Sequence, residues 1–169
     1  MLKISDPLLV SAVASSGASS AVVDLYTRRI PNPLTLGIAI AGLMLAATGN
    51  GTVSMVHALL GFAVGLVLML PGHVIGATGA GDVKLFAALG TLLGPKGIAI
   101  AFIYTAMAGG ALAVVVALQR SVLRVTVERL SMLLRTGGSN VEEIEHAAVN
   151  RFAYAPAIAL GSLAAALGL

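Results

Sequence analysis

From Val53 to Asp82 the chain reads VSMVHALLGFAVGLVLMLPGHVIGATGAGD. Its first eighteen residues, Val53–Leu70, carry no Asp, Glu, Lys or Arg. At 1.5 Å per residue they nearly cross a hydrocarbon core of about 30 Å, so they predict a transmembrane helix. The next eleven, Pro71–Gly81, are loop by composition. Asp82 then opens an apolar run, Val83–Leu93, that is too short to cross unaided. Non-helical backbone at membrane depth is tolerated only where it lines a cavity or is buried in protein. The stretch therefore predicts a water-accessible pocket beside Asp82, with the carboxylate at a helix N-terminus that favours its charge. Gly79 and Gly81 lack side chains and permit another segment to approach closely.

The rest of the chain has the same character. Of its 169 residues 58% are hydrophobic and 10% charged, against roughly 25% charged in an ordinary globular domain. Six apolar stretches are separable: Pro7–Val23, Pro33–Thr48, Val53–Leu70, Val83–Leu93, Ile98–Leu118 and Phe152–Leu169. The expected fold is an all-α polytopic membrane bundle of about six transmembrane helices, the fourth short and preceded by a membrane-embedded Gly-rich loop, forming one domain over residues 1–169. Between Arg120 and Arg151 lie five Arg and four Glu, with a Gly137–Gly138 break. This segment reads as a charged cytoplasmic loop containing an amphipathic surface helix. Gly61 and Gly65 form a small-xxx-small pair suited to close helix packing.

Basic residues fix the orientation. With the Asp24–Asn32 turn in the cytoplasm, eight Lys and Arg lie inside and only Lys3 and Lys96 outside, so both termini are expected on the extracytoplasmic side. The Ser-rich first stretch also resembles a secretory signal peptide, but Arg28 and Arg29 follow it at once and resist translocation. The net charge of +3 is scattered between apolar runs and makes no basic face, so no nucleic-acid partner is expected. The absence of Cys removes disulfides, thiolate metal sites and a cysteine nucleophile.

A carboxylate inside a membrane span is costly and by default functional. Counting residues places Asp24, near the end of the first span, and Asp82, at the start of the fourth, at similar depths about 6–10 Å below the cytoplasmic surface. Taken alone, Asp24 reads equally as an interfacial residue paired with Arg28 one turn on, and Asp82 as a helix cap. Together, beside a glycine loop, they favour a carboxylate dyad. Two like charges in one site titrate apart, which supplies the one ionised and one protonated carboxyl that peptide hydrolysis needs.

These residues resemble the type IV prepilin peptidases, membrane aspartyl proteases of the GxGD type, and in particular the short form associated with tight-adherence (Flp) pili. Asp24 followed by Arg28–Arg29–Ile30–Pro31–Asn32 is similar to that family's first aspartate motif, and Gly79–Ala80–Gly81–Asp82–Val83–Lys84–Leu85 to its second. Phe152–Gly161 resembles its last span. The resemblance implies cleavage, after a Gly, of a short basic leader from a prepilin-like substrate that continues into a hydrophobic helix, at the cytoplasmic face of a bacterial or archaeal inner membrane. Long family members carry a cysteine-paired module linked to N-methylation, and the lack of Cys implies a peptidase without that activity.

Within this reading Asp24 and Asp82 are catalytic, and Gly79, Gly81, Lys84, Pro31 and Asn32 support them. Asn32 is expected to cap the second helix, with Pro33 at its first position. Lys84 is expected to anchor the cytoplasmic end by snorkelling, or else to meet an acidic substrate residue. His57, His73 and His146 share no metal-ligand spacing, Glu142, Glu143 and Glu145 read as a solvated face, and no cofactor or metal is expected. Partners are the prepilin-like substrate and lipid, and a homo-oligomer is compatible with the sequence. The competing class is a small transporter using the two aspartates as ion-binding carboxylates, against which stands the lack of a second, matching broken helix.

Overall fold

The computed structural model describes residues 6–49, 53–119 and 154–169. Among the described residues the chain forms five helices: α1 (Pro7–Thr27), α2 (Asn32–Ala47), α3 (Met55–Val74), α4 (Ala80–Gln119) and α5 (Ala155–Leu167). No strand occurs among the described residues. The charged segment between Arg120 and Arg151 lies outside them, as do Lys3, Phe152 and His146.

α1 begins with a capping carboxylate, Asp6, which accepts the Leu8 N–H at 3.2 Å, and Pro7 occupies the first turn, where its missing N–H costs nothing. The helix runs one turn past the expected Val23 and ends when Arg28 turns left-handed at φ 52°, its N–H closing on the Asp24 carbonyl at 2.7 Å. Asp24 is thereby inside the helix.

The predicted loop at Pro71–Gly81 is shorter than composition suggests. α3 continues through Pro71, Gly72 and His73 to Val74, and only residues 75–79 are non-helical. Proline forfeits a single backbone bond here, and only three helical residues follow it, so the helix absorbs it in its last turn. The Ile75 N–H then finds the Pro71 carbonyl, and the Ala77 and Thr78 N–H groups both find that of Gly72.

α4 holds the fourth and fifth apolar stretches in one element, broken at Gly94, where φ 68° and ψ 178° are non-helical. Only glycine takes that conformation without strain, and Pro95 behind it fits the first position of a new helix. The chain reverses there. Phe86 and Phe102 sit edge to face with ring centroids 6.1 Å apart, whereas sixteen residues of straight helix would separate them by about 24 Å.

Glycines bring the helices together. A Cβ on Gly61 of α3 would strike the Gly90 carbonyl of α4, and one on Gly90 would lie 2.6 Å from the Gly61 carbonyl carbon, so the two backbones touch. Gly65 faces Phe86 and Ala87, as the small-xxx-small spacing predicts. A single core joins all five helices through Val13, Ile38, Met69, Phe86, Ile98 and Ile158. Large apolar side chains point outward: Val56 is 65% exposed and Met107 66%. In water such a surface would aggregate; against lipid tails it is matched to its solvent. α1, α3 and α4 are long and apolar enough to cross a membrane, and α2 and α5 are shorter apolar helices. The described residues are all-helical apart from their connections, and the protein is a multi-pass membrane protein.

Candidate active site

Asp24 is only 5% exposed. Its Oδ2 accepts the N–H of Ala155 at 3.2 Å, across 131 residues of sequence. Ala155 opens α5, and a helix's first N–H groups have no partner within the helix. α5 has no capping side chain of its own, so Asp24 caps it from α1. The carboxylate's partner is a helix terminus rather than Arg28, whose backbone is occupied with ending α1.

Asp82 lies in the first turn of α4 and is also buried. Its Oδ2 accepts the Gly79 N–H at 3.0 Å, while the Gly79 carbonyl accepts from the Asp82 and Val83 N–H groups. This is the reach-back half of a capping box, in which an acidic residue three positions into the helix takes the N–H of the residue before it. A Cβ on Gly79 would lie 3.1 Å from that same Oδ2. The loop is braced from behind by His73, whose Nδ1 is 3.1 Å from the Thr78 carbonyl.

The two aspartate-bearing segments meet. Ile30 packs on Gly81, where an added Cβ would come within 3.1 Å of the Ile30 Cβ. Two residues on from Ile30 and three on from Gly81, Lys84 Nζ donates to Asn32 Oδ1 at 2.9 Å. Asn32 is therefore not the cap expected from sequence. Pro31 occupies that position without a side-chain bond, and Asn32 is already helical with its amide oxygen turned to α4. Lys84, expected to reach for the membrane surface or a substrate, ties the Ile30–Pro31–Asn32 turn to the helix of Asp82.

The sequence model of the type IV leader peptidase family matches residues 11–114, more than half of the chain. That range contains Asp24, the Ile30–Pro31–Asn32 turn and Gly79–Lys84. The chain belongs to the type IV leader peptidase family. No curated protein and no solved structure matches it. Membership makes it a leader-peptidase type of protease with a prepilin-like substrate.

The family match ends before α5, yet α5 supplies the N–H that binds Asp24. Tyr154, just ahead of Ala155, was not among the residues singled out from sequence. It packs into the space left by the missing side chain of Gly109. The only advance signal was its place in the Phe152–Gly161 stretch. His57, by contrast, is engaged locally, its Nδ1 2.8 Å from the Ser54 hydroxyl at the start of α3.

Proposed function

We propose that this family member is an aspartic endopeptidase of the cytoplasmic membrane in which Asp24 and Asp82 share one proton. The ionised carboxylate removes a proton from water while the protonated one polarises the scissile carbonyl. The proton taken from water then passes to the leaving amine. The observation that supports this most is the contact between Ile30 and Gly81, which joins the turn after Asp24 to the residue before Asp82 in a chain of a leader peptidase family. The substrate is a prepilin-like, Flp-type precursor whose basic leader lies at the cytoplasmic face and whose hydrophobic helix stays in the bilayer. In this reading six crossings place both termini outside, the charged segment between Arg120 and Arg151 lies inside, and the activity is peptidase alone.

The test is incubation of the purified protein in detergent with a panel of leader-bearing pilin precursors, followed by mass determination of the products. Asp24→Asn and Asp82→Asn should each lower cleavage on the order of 100- to 10,000-fold, because each removes one half of the shared proton. Near-normal processing by either folded variant would sink the dyad.

A further inference from the structure

We infer that Tyr154 is a positioning residue of this site: its ring, seated against Gly109 of α4, fixes the start of α5 and so aims the Ala155 N–H at Asp24. Only the catalytic consequence rests on the peptidase reading above.

Three observations meet at this residue. A Cβ on Gly109 would lie 2.8 Å from the Tyr154 phenol oxygen and 2.9 Å from its Cζ, so the ring occupies the place of a missing side chain and has no room to shift toward α4. The Tyr154 carbonyl accepts from the Ala157 and Ile158 N–H groups at 3.0 and 3.2 Å, so the backbone of the same residue starts the first turn of α5. Ala155, one peptide bond away, gives its N–H to the buried carboxylate of Asp24. With no side-chain cap on α5, the Tyr154 ring and the Asp24 carboxylate both bear on this helix end, alongside the burial of Ala155, Ala157 and Ile158 in the core. A helix end that drifts by an ångström carries the N–H with it, and misplacement on that scale costs up to about 100-fold in rate.

The experiment uses the full chain in detergent and compares Tyr154→Phe, Tyr154→Ala, Gly109→Val and the Tyr154→Ala/Gly109→Val double variant, each checked for cooperative thermal unfolding. Two readouts are taken. The first needs no activity: labelling of Asp24 by a hydrophobic carbodiimide, located by mass spectrometry. Wild type and Tyr154→Phe should label slowly, and Tyr154→Ala and Gly109→Val at least several-fold faster. The second is cleavage of a pilin precursor. There kcat should fall about 10- to 100-fold in Tyr154→Ala with KM within about twofold, Tyr154→Phe should recover it, and the double variant should be no worse than either single. Should Tyr154→Ala fail to fold, Gly109→Val, which displaces the ring and keeps the tyrosine, decides alone. Labelling of Asp24 at the wild-type rate in the folded variants overturns the inference, as does a Tyr154→Phe variant as defective as Tyr154→Ala, since the hydroxyl and not the ring would then matter. If wild type cleaves no precursor, the peptidase reading falls while the labelling still decides the role of Tyr154.

Discussion

Asn32 and Lys84 stand 52 positions apart and share a 2.9 Å bond between exposed side chains. A charge-assisted bond is stronger than a neutral one, but solvent on both partners reduces this pair to the order of 1 kcal/mol. Asn32→Ala and Lys84→Ala should therefore each slow precursor cleavage by about tenfold or less, far from the loss expected at either aspartate. The double variant should be no slower than the slower single, because the two side chains act through one bond. A rate series in detergent checks this, and strictly multiplicative losses would mean that the residues act separately. The sequence displayed both residues and their motifs but not their bond, and it placed at Asn32 the cap that Pro31 takes, for a physical reason. Capping rules and helical spacing describe neighbours within a few positions, whereas the Asn32 partner is set by where α4 begins in space. Tyr154 escaped notice for the same reason, since its value lies in contacts with Gly109 and, through Ala155, with Asp24.

Helix packing was the more legible level, because small residues at fixed spacing and a Gly–Pro pair are local signals. The Gly61/Gly65 spacing identified the face of α3 that touches α4, and the separation of Val83–Leu93 from Ile98–Leu118 located the reversal at Gly94. Pro71 misled, since a proline near a helix end reads as a stop even where the helix tolerates it. The glycines divide into two classes with opposite expected effects. Gly61→Ala or Gly90→Ala would drive a methyl into the facing backbone, which cannot move aside as a side chain can. Overpacking of this kind costs about 1–3 kcal/mol, which lowers Tm by several degrees in a chain of this size. Gly37 and Gly110 have nothing within 4 Å of an added Cβ, so alanine there should leave packing untouched and gain up to about 1 kcal/mol of helix propensity. Thermal unfolding of the four single variants in one detergent separates the classes, and equal Tm changes would contradict the close contact of α3 and α4.

At the scale of the whole molecule, charge predicts the side of the membrane that the site faces. Arg28, Arg29 and Lys84 flank the two aspartate segments, and the arginines from Arg120 to Arg151 follow α4, so a reporter after Leu169 should be extracytoplasmic and one at Gly137–Gly138 cytoplasmic. Cysteine accessibility tests the site itself, because the chain has no native Cys to interfere. Ala80, at the start of α4, and Leu66 and Val115, within the apolar helices α3 and α4, are all exposed when no bilayer surrounds the protein. Exposure in the fold therefore predicts equal labelling at the three positions, and only a bilayer covering Leu66 and Val115 makes them differ. A membrane-impermeant thiol reagent added from the cytoplasmic side should modify Cys at Ala80, and more slowly at half-buried Thr78, while Cys at Leu66 or Val115 stays unmodified. Excess pilin precursor should slow the reaction at Ala80 and Thr78, since a substrate bound at Asp82 covers the loop that precedes it. Reaction at these two positions from the outer side alone would put the aspartates in the wrong compartment for a leader that has not left the cytoplasm. The two carboxylates would then have to serve another purpose, of which ion passage is the one their place in a membrane helix bundle would favour.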